Sequence, residues 1–179
     1  MQQIEVEIRG LLNKNEYNFL KEYLKGKSDL IEEDNRTACF FIIPNMNLKI
    51  TKSTSKGIAK IALKSGNESQ SICEEIEVEI KPDDFEKTIE IIESLGFTKS
   101  NKTKQVRTNY YIKDMNLSLK WSDDWGYHFE IDTIATNEKE AELKKTQLIA
   151  FAGELHLTVL SNEEIEQISL KINEKHHLS

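Results

Sequence analysis

Ile4-Glu5-Val6-Glu7-Ile8-Arg9 alternates apolar and charged residues without a break. That is the period of a β-strand with two unlike faces. Ile4, Val6 and Ile8 fall on one face, and Glu5, Glu7 and Arg9 on the other. The pattern returns in Glu75-Ile76-Glu77-Val78-Glu79-Ile80 and, shorter, in Phe129-Glu130-Ile131-Asp132. Elsewhere cations take the charged positions: Lys49 between Leu48 and Ile50, Lys64 after Leu63, Lys120 after Leu119. A sheet that buries its apolar face under helices, and curls its charged face inward, would enclose a polar tunnel.

The flanking sequence supplies the helices. Asn13 and Glu16 have capping-box spacing and open a helix with Tyr17, Leu20, Tyr23 and Leu24 on one stripe, ended by Gly26. Residues 27–35 read as a polar loop and 36–43 as a strand with a buried middle. Pro44-Asn45 turns the chain into a hairpin of strands 47–52 and 58–65, followed after a polar loop by the acidic strand 72–81. Pro82, Asp83 and Asp84 suit a helix start, with Phe85, Ile89, Ile92 and Leu95 at helical spacing and Gly96 as the stop. A basic loop from Lys99 to Lys104 leads to strands 105–113, 115–121 and 126–133. Asn137 with Glu140 opens a helix through Ala152. A short strand is expected over 155–159. Ser161 with Glu164 caps a last helix bearing Ile165, Ile168 and Ile172, and the tail from Asn173 reads as frayed. The expectation is one α+β domain over 1–179, with eight or so mostly antiparallel strands and about four helices.

Composition narrows the function. With 179 residues, 38% hydrophobic and 31% charged, the chain can bury a sizeable core and still carries more charge than a surface requires. A net charge of −7 argues against a general nucleic-acid binder, which would show a basic face. Cys39 lies in an apolar run and Cys73 follows Ile72, and both read as buried thiols of a reducing cytoplasm rather than a disulfide framework. The N-terminal pattern is a strand and not a signal peptide. No apolar run approaches the ~20 residues of a membrane helix.

Placed together, the inward faces hold the acids Glu5, Glu7, Glu75, Glu77, Glu79, Glu130 and Asp132. They also hold the bases Arg9, Arg36, Lys49, Lys64, Arg107 and Lys120. Carboxylates on alternate residues of one strand stand about 7 Å apart, which suits clamping one hard cation between strands. Mg²⁺ or Mn²⁺ prefers such oxygen ligands. A facing row of Arg and Lys would hold a polyanion by charge-assisted hydrogen bonds. Metal, cations and an enclosed cleft are the requirements of polyphosphate chemistry. Against this stands the ordinary reading of alternating Glu and Lys as a solvated face opposing a neighbour's charges. His128 shares the face of Glu130 and Asp132 and could ligate a metal or shuttle protons, but it reads first as a hydrogen-bonded wall residue; Trp121 and Trp125 read as packing residues, and Lys120 as either a phosphate contact or the partner of a tunnel acid.

These motifs resemble the CYTH superfamily, the triphosphate tunnel metalloenzymes, which include class IV adenylyl cyclases, thiamine triphosphatases and inorganic triphosphatases. Glu5-Val6-Glu7-Ile8-Arg9 is similar to the family's N-terminal Glu-x-Glu-x-Lys strand, with Arg for Lys. Ile61-Ala62-Leu63-Lys64-Ser65-Gly66, Glu74-Glu75-Ile76-Glu77 and Gly126-Tyr127-His128-Phe129-Glu130-Ile131-Asp132 resemble its later strands. The resemblance spans roughly residues 3–160 and implies a closed, eight-stranded antiparallel barrel. It implies Glu5, Glu7, Glu130 and Asp132 as ligands of Mg²⁺ or Mn²⁺, and Glu75 and Glu77 as acids that bind a second metal or position water. Arg9, Lys49, Lys64 and Arg107 would contact phosphate, and Arg36 and Lys120 belong to the same cation row. The chain departs from the family at Cys73, where an Arg is usual, and at Gln105, Lys120, His128 and Ala38. The implied function is metal-dependent hydrolysis of tripolyphosphate or of a nucleoside or thiamine triphosphate by a monomer or homodimer. A class IV adenylyl cyclase and a non-catalytic polyphosphate- or nucleotide-binding module remain as alternatives.

Overall fold

The structure, a computed structural model, describes residues 4–65 and 71–177. Eight strands, β1 (Ile4–Leu11), β2 (Leu30–Ile43), β3 (Met46–Ser53), β4 (Ile58–Ser65), β5 (Ile72–Ile80), β6 (Thr98–Ile112), β7 (Met115–Ser122) and β8 (Gly126–Ala135), are joined by four helices. These are α1 (Lys14–Lys25), α2 (Phe85–Ser94), α3 (Glu138–Glu154) and α4 (Asn162–His177). The strands close into a barrel in the order β1-β5-β4-β3-β2-β6-β7-β8, each pair antiparallel. The expected α+β barrel is therefore closed, and closure removes the open edges that an eight-stranded sheet would otherwise expose.

The alternating period sorts the residues as anticipated, with the apolar face outward under the helices. Val6, Ile8, Leu117, Leu119, Phe129 and Ile131 are buried with Tyr17, Leu20 and Leu24 of α1 and Ala141, Leu148 and Ala152 of α3. On the other side Cys39, Phe41, Leu48 and Ile50 are buried against Phe85 and Ile89 of α2. Two caps form as their spacing predicts. Asn13 accepts from the Glu16 amide while Glu16 accepts from the Asn13 amide, and Ser161 and Glu164 do the same. At α3 only half the box is made: Asn137 accepts from the Glu140 amide, but the Glu140 carboxylate turns back to the Thr136 amide and hydroxyl.

Three boundaries differ from expectation. The polar loop over 27–35 is largely strand, because β2 begins at Leu30 and pairs with β6 from Leu30↔Tyr111 onward. The basic loop from Lys99 to Lys104 is likewise the first half of β6, pairing with Phe41 to Thr37. A long partner strand supplies the ladder that neither polar segment could support alone. The strand expected over 155–159 does not form; that segment crosses β1, with the Leu160 amide donating to the Arg9 carbonyl at 2.9 Å. The tail is a correction too. From Asn173 to His177 the chain is the end of α4 rather than frayed, because Ser100 bonds Asn173 and His176 Nε2 lies 2.7 Å from Asp124 Oδ1. The loop expected after Ser65, including Gly66 of the Lys64-Ser65-Gly66 motif, lies outside the described residues apart from Ser65.

Candidate functional site

The barrel interior is a cavity of about 350 Å³, the size of a small-ligand site. Nine of the expected site residues line it: Glu5, Glu7 and Arg9 from β1, Arg36 from β2, Lys49 from β3, Lys64 from β4, Arg107 from β6, Lys120 from β7 and Glu130 from β8. They come from seven strands, and they converge because each occupies the inward position of its strand's two-residue period. Asp132 also points inward, directly across from Glu7 in the β1–β8 ladder, and accepts from Asn116 Nδ2 at 2.9 Å. Glu75 and Glu77 are not brought into this cavity. They border a smaller hollow with Glu5 and Ile134, Glu75 facing Lys49 at 3.4 Å and Glu77 held by Lys60 at 2.6 Å.

The acids and bases of the tunnel are paired with one another. Arg9 bonds Glu7 and also approaches Glu130 at 3.9 Å. Lys64 bonds Glu5 and reaches Glu7 at 3.4 Å. Lys120 bonds Glu130, so the lysine that stands where the family has an acid is the partner of one. Arg36 bonds Asp34, which is fully buried and also accepts from Ser53 Oγ at 2.6 Å. Arg107 donates to Asn109 at 2.8 Å and to Ser118 at 2.6 Å. Sequence reasoning missed Asp34 because it assigned that residue to a loop. The signal was present: Asp34, Arg36, Ala38 and Phe40 continue the inward period of β2.

Burial and neighbours divide the tunnel electrostatically. On the β6–β7 wall, burial and then Arg36 bring Arg107 down to about 10. Burial and then Arg107 push Lys120 well below its usual range. On the β1–β8 wall, burial with Glu7 and Glu5 raises Asp132 to about 6, and burial with Glu7 raises Glu5. Burial also opposes the charge of Glu7, but Arg9, Lys64, Lys120 and Lys49 hold it well below the ordinary carboxylate range. Cations thus crowd the β6–β7 wall, while on the β1–β8 wall Glu5 and Asp132 are crowded by acids and Glu7 is answered by cations.

The family model of the CYTH domain matches residues 3–164. The chain belongs to the CYTH family. The solved structures that the CYTH chain resembles share its fold at low identity. A conserved hypothetical protein from Pyrococcus furiosus is 23% identical, with 89% of this chain and 99% of that one covered and a TM-score of 0.73. A candidate adenylate cyclase from Vibrio parahaemolyticus is 18% identical, covering 92% and 93%, with a TM-score of 0.69. A candidate adenylyl cyclase from Hippeastrum, described as having a dominant triphosphatase activity, is 19% identical, covering 88% and 89%, with a TM-score of 0.62. No protein of curated function matches the sequence. Among the described residues no helix is long and apolar enough to cross a membrane.

The acids of this CYTH tunnel fit a hard divalent cation in kind. Glu5, Glu7 and Asp132 are oxygen donors on two adjacent strands, and their mutual repulsion is what a divalent charge would relieve. They are not a ready-made cage, since among the described residues no three acid, imidazole or thiol groups are grouped to hold an ion. Glu5 and Glu7 must first exchange their Lys64 and Arg9 partners.

The crowding at Asp132 carries a testable consequence. A carboxyl raised in the folded state adds stability that is full below its unfolded pKa and lost as pH rises through its folded value, here about 6. Ionised Asp132 therefore costs the metal-free barrel stability at neutral pH. Asp132→Asn is expected to raise the metal-free stability at pH 7.5 by about 1–2 kcal/mol, with little gain at pH 4. If these acids hold a divalent cation, the same variant should lose part of any stabilisation that added Mg²⁺ or Mn²⁺ gives. Thermal melts at the two pH values, with and without metal, check both effects.

Proposed function

We propose that the tunnel binds a linear triphosphate with Mg²⁺ or Mn²⁺ and hydrolyses it. The observation that carries this reading is the crowding of like charges on two sides of one barrel interior, beside the ion pairs that hold Glu5, Glu7 and Glu130. Arg36, Arg107 and Lys120 crowd one wall, and Glu5, Glu7 and Asp132 crowd the other. A polyanion answers the first crowding and a divalent cation the second, so a metal–polyphosphate complex satisfies both.

The residues act by exchange of partners. As phosphate oxygens enter, the Arg9 guanidinium and the Lys64 ammonium turn from Glu7 and Glu5 to the phosphates. Burial works against the charge of Lys64, but Glu7, Glu5 and Glu75 raise its pKa, so it meets the substrate protonated. Lys49 and Arg107 supply further donors, and Arg107 presents a planar fork suited to phosphate oxygens. Glu5, Glu7 and Asp132, once released, would hold the metal, with Glu130 retained by Lys120. The metal, when bound, neutralises the developing charge on the phosphates. Glu75 and Glu77 lie at the smaller hollow beside Glu5 and outside the main cavity; of the two, Glu75, which faces the cavity-lining Lys49, is the candidate to orient the attacking water, and Glu77 is half-exposed on Lys60.

Phosphate release from tripolyphosphate and from ATP, with Mg²⁺ or Mn²⁺ and an EDTA control, tests the reading. Metal-dependent release of orthophosphate is the expected result. Cyclic AMP with pyrophosphate would reassign the tunnel as a cyclase, and tight binding without any product would make it a binding module.

A further inference from the structure

Helix α1 carries two apolar stripes, and the barrel covers only one of them. Tyr17, Leu20 and Leu24 are buried in the core they share with β1, β7 and β8. Phe19 and Tyr23, one helical turn apart, stay 68% and 41% exposed. Their rings are stacked, with centroids 6.0 Å apart and planes inclined by 17°. Such a pair is more than the scatter of single apolar residues that any surface shows.

The charges around the pair decide what covers it. Glu16, Phe19, Tyr23 and Lys27 follow one another at steps of three, four and four residues, which is one helical stripe. Lys27 lies just past Lys25, the last residue of α1, and its amide still donates to the Leu24 carbonyl at 3.0 Å. Its Nζ is 5.0 Å from the Tyr23 ring centroid, so it belongs to the stripe. Glu16 accepts from the Asn13 amide through one carboxylate oxygen, and a carboxylate keeps acceptor capacity for a cation beside such a bond. Both charged residues are exposed, and beside Lys27 there is open space where a side chain at Gly26 would project. The stripe thus has an acid at its N-terminal end, a base at its C-terminal end and two aromatic rings between. Turned about a two-fold axis, such a stripe is complementary to itself.

We propose that this stripe is the contact between two copies of the chain. The two α1 helices lie antiparallel across a two-fold axis. Phe19 of each copy packs on Tyr23 of the other at the centre, and Glu16 of each pairs with Lys27 of the other at the two ends. Antiparallel helices also bring opposite dipole ends together. A purely acidic or purely basic rim would call for a partner of opposite sign, whereas this rim supplies both signs itself. One helix pair is at the small end of protein–protein contacts, so the dimer is weak, with a Kd on the order of micromolar. Among the described residues that line the tunnel cavity, none comes from α1. The association therefore stands apart from the polyphosphate reading and leaves the tunnel unobstructed by α1.

Sedimentation equilibrium of the whole chain, over concentrations on both sides of that Kd, tests the proposal. The wild type is expected to pass from one chain to two and no further. Phe19→Ser should weaken the dimer at least about tenfold, the order of losing one aromatic contact from each copy. Its far-UV signal should be unchanged, because Phe19 lies outside the core. Lys27→Glu should weaken the dimer about threefold or more by setting a second acid against Glu16. Glu16→Gln keeps the helix cap, since Gln serves at that position. It should weaken the wild-type dimer and strengthen the Lys27→Glu dimer. That reversal of sign requires Glu16 and Lys27 to meet across the interface, because within one chain they stand about three helical turns apart. A wild type that stays a single chain overturns the proposal and leaves the stripe to a different protein. A dimer indifferent to Phe19→Ser, a mass beyond two chains, or Glu16→Gln effects of one sign in both backgrounds also overturns it.

Discussion

Replacing Glu7 with Gln is expected to remove metal-dependent triphosphate turnover while leaving the barrel folded. Glu7 stands at the centre of the tunnel's charge network: it bonds Arg9, lies 3.4 Å from Lys64 and faces Asp132 across the β1–β8 ladder. Gln has the same shape and keeps one acceptor oxygen, enough for one of the two cations, and the other retains a second acid, Glu5 for Lys64 and Glu130 for Arg9, so the local geometry has no reason to collapse. What disappears is the negative charge that would hold the metal. The expected loss in kcat is about a hundredfold or more, the order that follows from losing several kcal/mol of charge stabilisation. Tripolyphosphate binding should persist or tighten, because Arg9 and Lys64 no longer have an anionic competitor. A pH effect accompanies the change. The Glu7 carboxyl is held well below its ordinary pKa, so its contribution to stability is present above the unfolded value and lost as pH falls through the folded one. The variant should therefore lose less stability on acidification than the wild type. Steady-state phosphate release, calorimetry with tripolyphosphate and acid titration of the far-UV signal examine the three parts. Wild-type turnover in Glu7→Gln would remove Glu7 from the machinery altogether.

Gly10→Ala is expected to have the largest effect on stability. A Cβ at Gly10 would lie 2.1 Å from the Thr158 carbonyl oxygen and 2.5 and 2.8 Å from two Phe129 ring carbons. The first is backbone and the second belongs to a fully buried ring, so neither can yield without moving an element. Overpacking of this severity costs about 3 kcal/mol or more, which in a chain of this size lowers Tm by roughly 6–12 °C. Gly153→Ala is the matching control: it lies within α3, nothing approaches within 4 Å of the added carbon, and about 0.5–1 kcal/mol of stabilisation is expected. The defect at Gly10 also reaches the site. The segment from Leu155 to Leu160 crosses β1 at this point, fixed by the Leu160 amide on the Arg9 carbonyl, and leads directly into α4 over the tunnel mouth. Thermal melts of the two glycine variants measured side by side decide the structural claim.

Much of this tunnel follows from local sequence. The two-residue period of β1, β5 and β8 assigns Glu5, Glu7, Arg9, Glu75, Glu130 and Asp132 to one face because successive side chains in a strand point oppositely. Asn13 with Glu16, and Ser161 with Glu164, set helix starts because both halves of a capping box lie within one turn. Charge type alone points to hard cations and phosphate. Other features depend on partners distant in sequence. Residues 30–35 and 98–104 become strand only because partners distant in sequence supply their ladders, residues 106–111 for the first and 37–42 for the second. Whether Lys120 grips phosphate or a carboxylate depends on Glu130 from the neighbouring strand. Period two places Glu75 and Glu77 inward without saying how far along the barrel axis they lie, and that position follows from register with β4 and Lys49 on β3. The end of α4 lacks any local stop or cap that announces its order; Ser100 and Asp124, on other elements, hold it. Trp125 reads as packing in the sequence, and only closure of the barrel sets it beside Arg9 and opposite α4. The sequence by itself thus determined which residues face inward and what chemistry they carry, because those properties repeat over two to four residues. The tertiary structure decided which of them meet and which surround the mouth, because ion pairing and enclosure require groups far apart in the chain to be brought together by closure.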